Sequence, residues 1–298
     1  MEEITLKGRD SRDLHLALFE AKGTPKAIIQ VVHGMMEHKE RYFDFAEYLS
    51  LNGYTVLCKD MRGHGKDDND LGFFAKKKGY ELLVDDEKVA YDFIKERFPD
   101  SKVILLAHSM GTIISRNVLQ ERSMDYSKVV LSGYPNYQGA IKIAIALSNC
   151  MKLFGKKRKS KMLLSMTLGS FNKAVKNPKT PVDWLSYNEE NVNKYMADPL
   201  CGFNFTTSAY NDLYHLMNNM HKAKRYKNVN ELMPMLLIAG MEDPCVGKEK
   251  GKASSINTLK KAGFKNIEVI SYEHMRHEIL NENEHEKVYQ DILNFLDK

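Results

Sequence analysis

Short, mostly apolar runs recur along this chain with longer helix-period stretches between them, and few folds accommodate that alternation. The runs fall at residues 14–19, 27–32, 54–58, 103–107, 129–131, 235–239 and 267–272. The helix-period stretches fall at 41–51, 80–98, 112–120, 250–262 and 284–296. A strand that is apolar on both faces has to be covered on both, as in a mostly parallel sheet flanked by helices. Polar residues repeatedly follow the carboxyl ends of the runs, where open α/β sheets place their sites. The expectation is an α/β fold with helices on both faces of the sheet.

The alternation lapses between 136 and 232, where the chain is helix-like and irregular and carries one basic run, Lys156-Lys157-Arg158-Lys159. Because the core pattern resumes at Met235, this stretch reads as an insertion, a helical lid over the strand ends. Residues 1–135 and 233–298 then form the core and 136–232 the lid. With 298 residues, 43% hydrophobic and 28% charged, the chain has the make-up of a globular protein with a sizeable core. A net charge of +5 is mild and its excess local, so no nucleic-acid partner is implied. Cys58, Cys150, Cys201 and Cys245 lie far apart without metal-ligand spacing, which fits reduced thiols. Met1-Glu2-Glu3-Ile4 lacks the features of a signal peptide, and no stretch is apolar for long enough to span a bilayer. A cytoplasmic location is expected.

Chemistry enters at Leu106-Ala107-His108-Ser109-Met110-Gly111. A serine hydroxyl is a poor nucleophile until a base takes its proton and the backbone presents it. In a nucleophile elbow, small residues two before and two after the serine let strand and helix approach around a strained turn. Here those residues are Ala107 and Gly111. The pattern occurs by chance on the order of 0.2 times in a chain of this length, so its position between a strand and a helix carries the weight. Ser109 is the candidate nucleophile.

Such a serine needs a base, a residue to orient the base, and donors for an oxyanion, in the chain order nucleophile, acid, histidine. After Ser109, the acids at a strand end are Glu242 and Asp243, and the loop after the last strand holds His274 and His277. Asp243 is preferred, because a short carboxylate before Pro244 is held in an extended turn. The other position where an acid could stand, after the run 129–131, carries Ser132 and Gly133. Spacing does not separate His274 from His277. His64 and His108 are poorer bases, since a residue beside the nucleophile on an elbow points away from it. In His33-Gly34-Met35-Met36-Glu37-His38, Gly34 permits backbone conformations closed to other residues. The Met35 amide can then serve as one oxyanion donor, and the Met110 amide, next after the serine, as the other. His274, His277, His285 and Glu278 show no hydrolytic metal spacing, so no metal is expected, and the chemistry requires no cofactor.

Together these residues resemble the monoglyceride lipase and lysophospholipase branch of the α/β-hydrolases, which is grouped with the serine aminopeptidases (S33). The resemblance rests on His33-Gly34-Met35-Met36-Glu37-His38 with Arg41-Tyr42, and on Asp60-Met61-Arg62-Gly63-His64-Gly65. It rests further on Ala107-His108-Ser109-Met110-Gly111, Gly240-Met241-Glu242-Asp243-Pro244 and Arg276-His277-Glu278-Ile279-Leu280-Asn281-Glu282. It implies an α/β-hydrolase fold with an eight-stranded core sheet, a lid between the sixth and seventh strands, and a Ser109–Asp243–His277 triad. It also decides between the histidines, because the family's histidine-glutamate pair matches His277-Glu278. Two positions depart, Ala107 where the family has glycine and Asp67 where it often has serine, and the lid matches least.

The resemblance implies a serine carboxylic-ester hydrolase that acts through an acyl-enzyme on monoacylglycerols, lysophospholipids or similar single-chain esters. An aminopeptidase-type peptidase or a short-chain carboxylesterase is the alternative. A peptidase needs a lid carboxylate for the substrate amine, and Glu189 and Glu190 stand available. The expected partner is a small amphiphilic acyl ester. The lid stretch 140–154 is apolar on most faces (Ile141, Ile143, Ile145, Leu147, Met151, Leu153, Phe154) and leads into the basic run. It reads as a lid helix packed on the core, with transient contact to an anionic membrane surface or micelle as the second reading.

Overall fold

Backbone hydrogen bonds join the apolar runs into one sheet. In the computed structural model, which describes residues 1–136 and 139–298, eight strands pair in the order β1-β2-β4-β3-β5-β6-β7-β8. They are β1 (Glu2–Lys7), β2 (Asp13–Phe19), β3 (Ala27–Val32), β4 (Tyr54–Lys59), β5 (Val103–His108), β6 (Lys128–Ser132), β7 (Met235–Gly240) and β8 (Ile267–Tyr272). β2 runs antiparallel to β1 and β4, and every other pairing is parallel. This is the eight-stranded, mostly parallel sheet that the resemblance implies. The strand that no apolar run announces is β1. Only Ile4 and Leu6 break its polar sequence, and both are half-buried at the sheet edge.

The central strands are buried along their whole length because each face has its own cover. Val103, Leu105 and Ala107 of β5 join the apolar cluster under α2 (Gly79–Arg97), α3 (Met110–Arg122) and α8 (Lys248–Ala262). Ile104 and Leu106 join the opposite cluster, under α1 (Phe43–Leu51) and α9 (His285–Asp297). The period-two alternation of side chains sends successive residues to the two covers.

Between β6 and β7 the chain leaves the sheet and forms α4 (Ile141–Lys152), α5 (Lys161–Leu168), α6 (Glu189–Ala197) and α7 (Thr207–Met220). Tyr137 and Gln138, inside the expected lid 136–232, lie outside the described residues. α7 is more core than cover: Tyr210, Leu213, Leu216 and Met220 belong to the same apolar cluster as α3. α4 is one-sided rather than apolar all round. Ile141, Ala144 and Ser148 are buried, while Ile143 and, just past the helix, Leu153 and Phe154 are exposed. The basic run is partly spent on the core, since Lys157 pairs with Asp70 and lies over the Phe73 ring, and Lys156 donates to the Lys76 carbonyl. No helix among the described residues is long and apolar enough to cross a membrane.

One buried acid joins the insertion to the core. The Asp212 carboxylate of α7 sits against the first turn of α2, so close that a Cβ on Gly79 would lie 2.4 Å from its Oδ2. Burial pushes its pKa up to about 7, against the pull of the Tyr80 and Gly79 amides and of Lys152. A carboxyl whose folded pKa is raised stabilises the fold below its unfolded pKa, and that contribution is lost as pH rises through the folded value. Asp212→Asn removes this ionisation and keeps an acceptor oxygen for the amides. Thermal melts are therefore expected to show the variant gaining on the parent at pH 8 and not at pH 4; equal shifts at both values would contradict the assignment.

Candidate active site

Three strand ends meet at Ser109. The chain leaves β5, turns through Ser109 at φ 50° and ψ −120°, and enters α3 at Met110. A non-glycine residue in this region is strained, and such strain persists only where the surroundings hold it. Here the Ser109 amide donates to the Ser132 carbonyl at 2.9 Å, and the Ser109 carbonyl accepts from the Thr112 amide and hydroxyl. Two residues on, a Cβ at Gly111 would stand 2.2 Å from the Val32 carbonyl oxygen and 2.5 Å from that of His33. Only glycine lets α3 start against the end of β3.

His277 and Asp243 arrive by the same device. Gly240, at the end of β7, lies so close to the histidine loop that a Cβ would meet the Met275 and Arg276 carbonyls at 2.1 and 2.3 Å. This brings Asp243 under His277. Its Oδ2 lies 2.8 Å from His277 Nδ1, and its Oδ1 accepts the Cys245 amide at 2.8 Å. His277 Nε2 in turn lies 2.8 Å from Ser109 Oγ. A carboxylate only accepts, so Nδ1 carries the ring proton and the Nε2 lone pair faces the serine hydroxyl. Gly133, with φ +54°, leaves room for the imidazole, because a Cβ there would lie 3.0 Å from His277 Cε1. The position expected to be empty of acid is the one that the base's ring occupies.

The loop after β3 supplies the remaining groups. Gly34 lies beside the serine, where a Cβ would be 3.2 Å from that of Ser109, and its amide is tied to Glu37. Met35 and Met110 line the same cavity as Ser109. Neither of their amides has a hydrogen-bond acceptor among the described residues, so both are free to donate. The loop is pinned by buried histidines. His33 Nε2 accepts the Met61 amide, and His64 Nε2 accepts that of Met36, whose φ is 60°. Burial pushes both rings down, His64 to about 4, which keeps them neutral and able to accept.

Charge is concentrated around His277. Burial alone lowers its pKa, but the Asp243 carboxylate beside Nδ1, with Glu278 and Glu37 further off, raises it above the ordinary value. Glu278 takes both Arg41 Nη atoms, at 2.8 and 2.7 Å, and the Asn191 amide at 2.7 Å. Burial works to raise the Glu278 pKa, yet Arg41 holds it below the usual range, whereas burial raises that of Glu37. His108 was expected to point away; instead its ring packs against that of His277, centroids 4.7 Å apart, and burial keeps it neutral. His274 and Glu242 are exposed and stand outside this arrangement. Glu189 and Glu190 are also exposed and pair with Lys179 and Lys194.

Sequence patterns gave no role to Trp184, Arg276, Glu282 or Cys245. Trp184 comes from the turn before α6, and its ring lies 5.0 Å from that of His277. Cys245 and Trp184 both line the cavity. The Arg276 and Glu282 positions stand inside a quoted motif, yet nothing in their spacing shows that they reach the insertion. The rest of the cavity wall is apolar and includes Ile113 of α3, Ile141 and Ala144 of α4, and Leu213 and Met217 of α7. Chemically, the arrangement can deprotonate a serine, hold an oxyanion and enclose an apolar chain.

Comparison with known proteins gives a consistent picture. The family described as serine aminopeptidase, S33, matches residues 23–284. A monoglyceride lipase of Mus musculus is 30% identical over 200 residues, covering 65% of this chain and 59% of its own. The chain spans the same 59% of the rat and human monoglyceride lipases. Phospholipase YtpA of Bacillus subtilis is 25% identical and is covered over 96% of its length, with 92% of this chain. A solved thermostable carboxyl esterase from Bacillus coagulans, in complex with glycerol, superposes with a TM-score of 0.91 at 24% identity over 99% of this chain and 97% of its own. At that identity the superposition establishes the fold, which is that of the α/β-hydrolases.

Trp184 is the single tryptophan of the chain, and its contact with His277 makes that imidazole optically visible. A protonated imidazole quenches indole emission more than a neutral one. Tryptophan fluorescence is expected to fall on acidification, with a midpoint above the ordinary histidine value of about 6.5. His277→Asn should flatten the titration. A midpoint below that value, or a titration that survives the substitution, would contradict the assigned environment.

Proposed function

The chain belongs to the serine aminopeptidase, S33 family, and from that premise we propose that it is a carboxylic-ester hydrolase acting on single-chain acyl esters such as monoacylglycerols and lysophospholipids. The observation that carries this reading is the cavity beside Ser109, whose wall pairs two unengaged amides with an apolar lining. Ser109 Oγ attacks the acyl carbonyl carbon while His277 Nε2 takes its proton. The carbonyl oxygen becomes an oxyanion between the Met35 and Met110 amides. Collapse expels the alcohol, which leaves with the proton from His277, and Ser109 stays acylated. Water then repeats the sequence, releasing the fatty acid and restoring the serine. Asp243 holds the imidazole in the required tautomer and stabilises its protonated form. Apart from substrate and water, every group used belongs to the chain.

Several features support an ester over an aminoacyl substrate. The carboxylates that line the cavity, Glu37 and Glu278, are both engaged, by Tyr42 and Arg41 respectively. Glu189 and Glu190 do not line it. No carboxylate of the lining is left for a substrate amine. In this reading 136–232 is a cap that forms the acyl pocket through Ile141, Ala144, Leu213 and Met217. Its exposed Ile143, Leu153 and Phe154, next to the basic run, suit brief contact with anionic lipid surfaces that supply amphiphiles. The four unpaired cysteines suit a reducing compartment, and the cytoplasm is the proposed location.

Two experiments test the reading. Ser109→Ala is expected to lower ester turnover by roughly a thousandfold or more, with the melting temperature retained; turnover within tenfold of the parent would reject Ser109 as nucleophile. A panel of esters of increasing chain length, set beside aminoacyl amides, tests the substrate class. Burial of each methylene is worth about 0.8 kcal/mol, so kcat/KM should rise up to roughly fourfold per methylene until the pocket fills. Ile141→Asn should flatten that rise and leave acetate esters within about twofold. Faster cleavage of aminoacyl amides than of any ester would overturn the proposal in favour of a peptidase.

A further inference from the structure

Glu282 is buried to 1% of its surface, and among the described residues no lysine or arginine side chain pairs with it. Its carboxylate instead collects backbone amides from two distant segments. Arg276 N–H donates to Oε1 at 2.8 Å, Tyr187 N–H donates at 2.9 Å to Oε2, and Asn188 N–H lies 3.3 Å from Oε2. Arg276 immediately precedes His277. Tyr187 and Asn188 belong to the cap, at the turn that leads into α6.

The same two segments are joined at further points around that carboxylate. The Arg276 guanidinium donates to the Asp183 and Ser186 carbonyls at 2.7 and 3.2 Å and lies 3.7 Å above the Tyr187 ring. The Glu278 amide donates to the Leu185 carbonyl at 2.7 Å, and the Asn188 side chain donates to the Asn281 carbonyl at 3.0 Å. These contacts bracket His277 on both sides and bring Trp184 over its ring. A buried carboxylate left without partners is costly, while one that accepts several amides fixes them in place.

We propose that Glu282 is a positioning residue for the base: it locks the cap turn at Tyr187 and Asn188 to the backbone ahead of His277, so that this part of the cap travels with the histidine loop. It touches neither Ser109 nor the cavity. It acts through the Arg276 peptide and through Trp184, which covers one face of the imidazole. Consequently the segment 183–191 stays fixed with the histidine loop. This inference rests on the proposed role of His277.

The test compares Glu282→Gln, Glu282→Ala and His277→Ala on a dissolved short-chain chromogenic ester, with tryptophan emission recorded on the same samples. Gln keeps the shape and one acceptor oxygen but turns an NH2 group toward amide donors, whereas Ala removes every acceptor. A misplacement on the scale of an ångström costs up to about a hundredfold in rate. The expected results are a roughly tenfold loss of kcat for Gln and a larger loss for Ala, with KM within about twofold and Trp184 emission shifted to the red. Should the Ala variant fail to fold, Gln and Arg276→Gln, which breaks the same clasp from the other side, decide the matter. Parental kcat and emission in the folded variants would overturn the inference, and so would a loss of kcat that only tracks a lost folded fraction. Undiminished turnover in His277→Ala would instead overturn the assignment of the base, a separate failure.

Discussion

The close approach of backbone to backbone at the strand ends governs everything else in this molecule. Gly111 lets the first turn of α3 sit against the carbonyls of Val32 and His33, which forces Ser109 into its strained turn and sets its hydroxyl at the carboxyl edge of the sheet. Gly240 repeats the arrangement at the far side, against the carbonyls of Met275 and Arg276, and so brings the histidine loop over β7. Neither approach tolerates a Cβ. The geometry of the site therefore follows from the sheet rather than from flexible loops, as expected where a constellation must hold to a fraction of an ångström.

Electrostatics complete what the backbone begins. Burial keeps three histidines, His33, His64 and His108, neutral. Only His277, with Asp243 beneath it, is raised above its ordinary value. His277 differs in having a buried carboxylate at hydrogen-bond distance, 2.8 Å from Nδ1, whereas the Asp60 carboxylate stands 4.0 Å from His33 Nε2. Arg41 keeps the next residue, Glu278, ionised and tied to Asn191 of the cap, so negative charge near the base is present but engaged. A raised imidazole pKa beside the serine suits proton transfer near neutral pH.

Much of this was legible in the sequence, for identifiable reasons. The central strands declare themselves because both their faces are covered, and the elbow declares itself because Ala107 and Gly111 are required at fixed offsets from Ser109. The choice of Asp243 over Glu242 followed from Pro244; in the structure Asp243 Oδ2 lies 2.8 Å from His277 Nδ1 and Glu242 is exposed. What the sequence hid depends on contacts between segments far apart in the chain. β1 reads as a polar terminus until β2 pairs with it. α4 looks apolar on most faces, yet Ile141, Ala144 and Ser148 are buried, Ile145, Leu147 and Met151 are half-buried against the core, and Ile143 is exposed; α7 proves to belong to the core. Trp184 had no signal, and Glu282, though inside a quoted motif, showed nothing of its reach, because their partners in the insertion lie far away along the chain. The direction of His108 was misjudged because the rule that an elbow neighbour points away takes no account of a second imidazole beside it.

The central claim is that a covalent acyl-enzyme forms on Ser109. The direct measurement is rapid acid quenching of the protein during turnover of a slow-deacylating ester, followed by intact mass and peptide mapping. The account predicts one acyl group per chain, carried by the peptide that contains Ser109, and lost on further incubation. Steady turnover with no adduct, or an adduct mapped to any other residue, would contradict it.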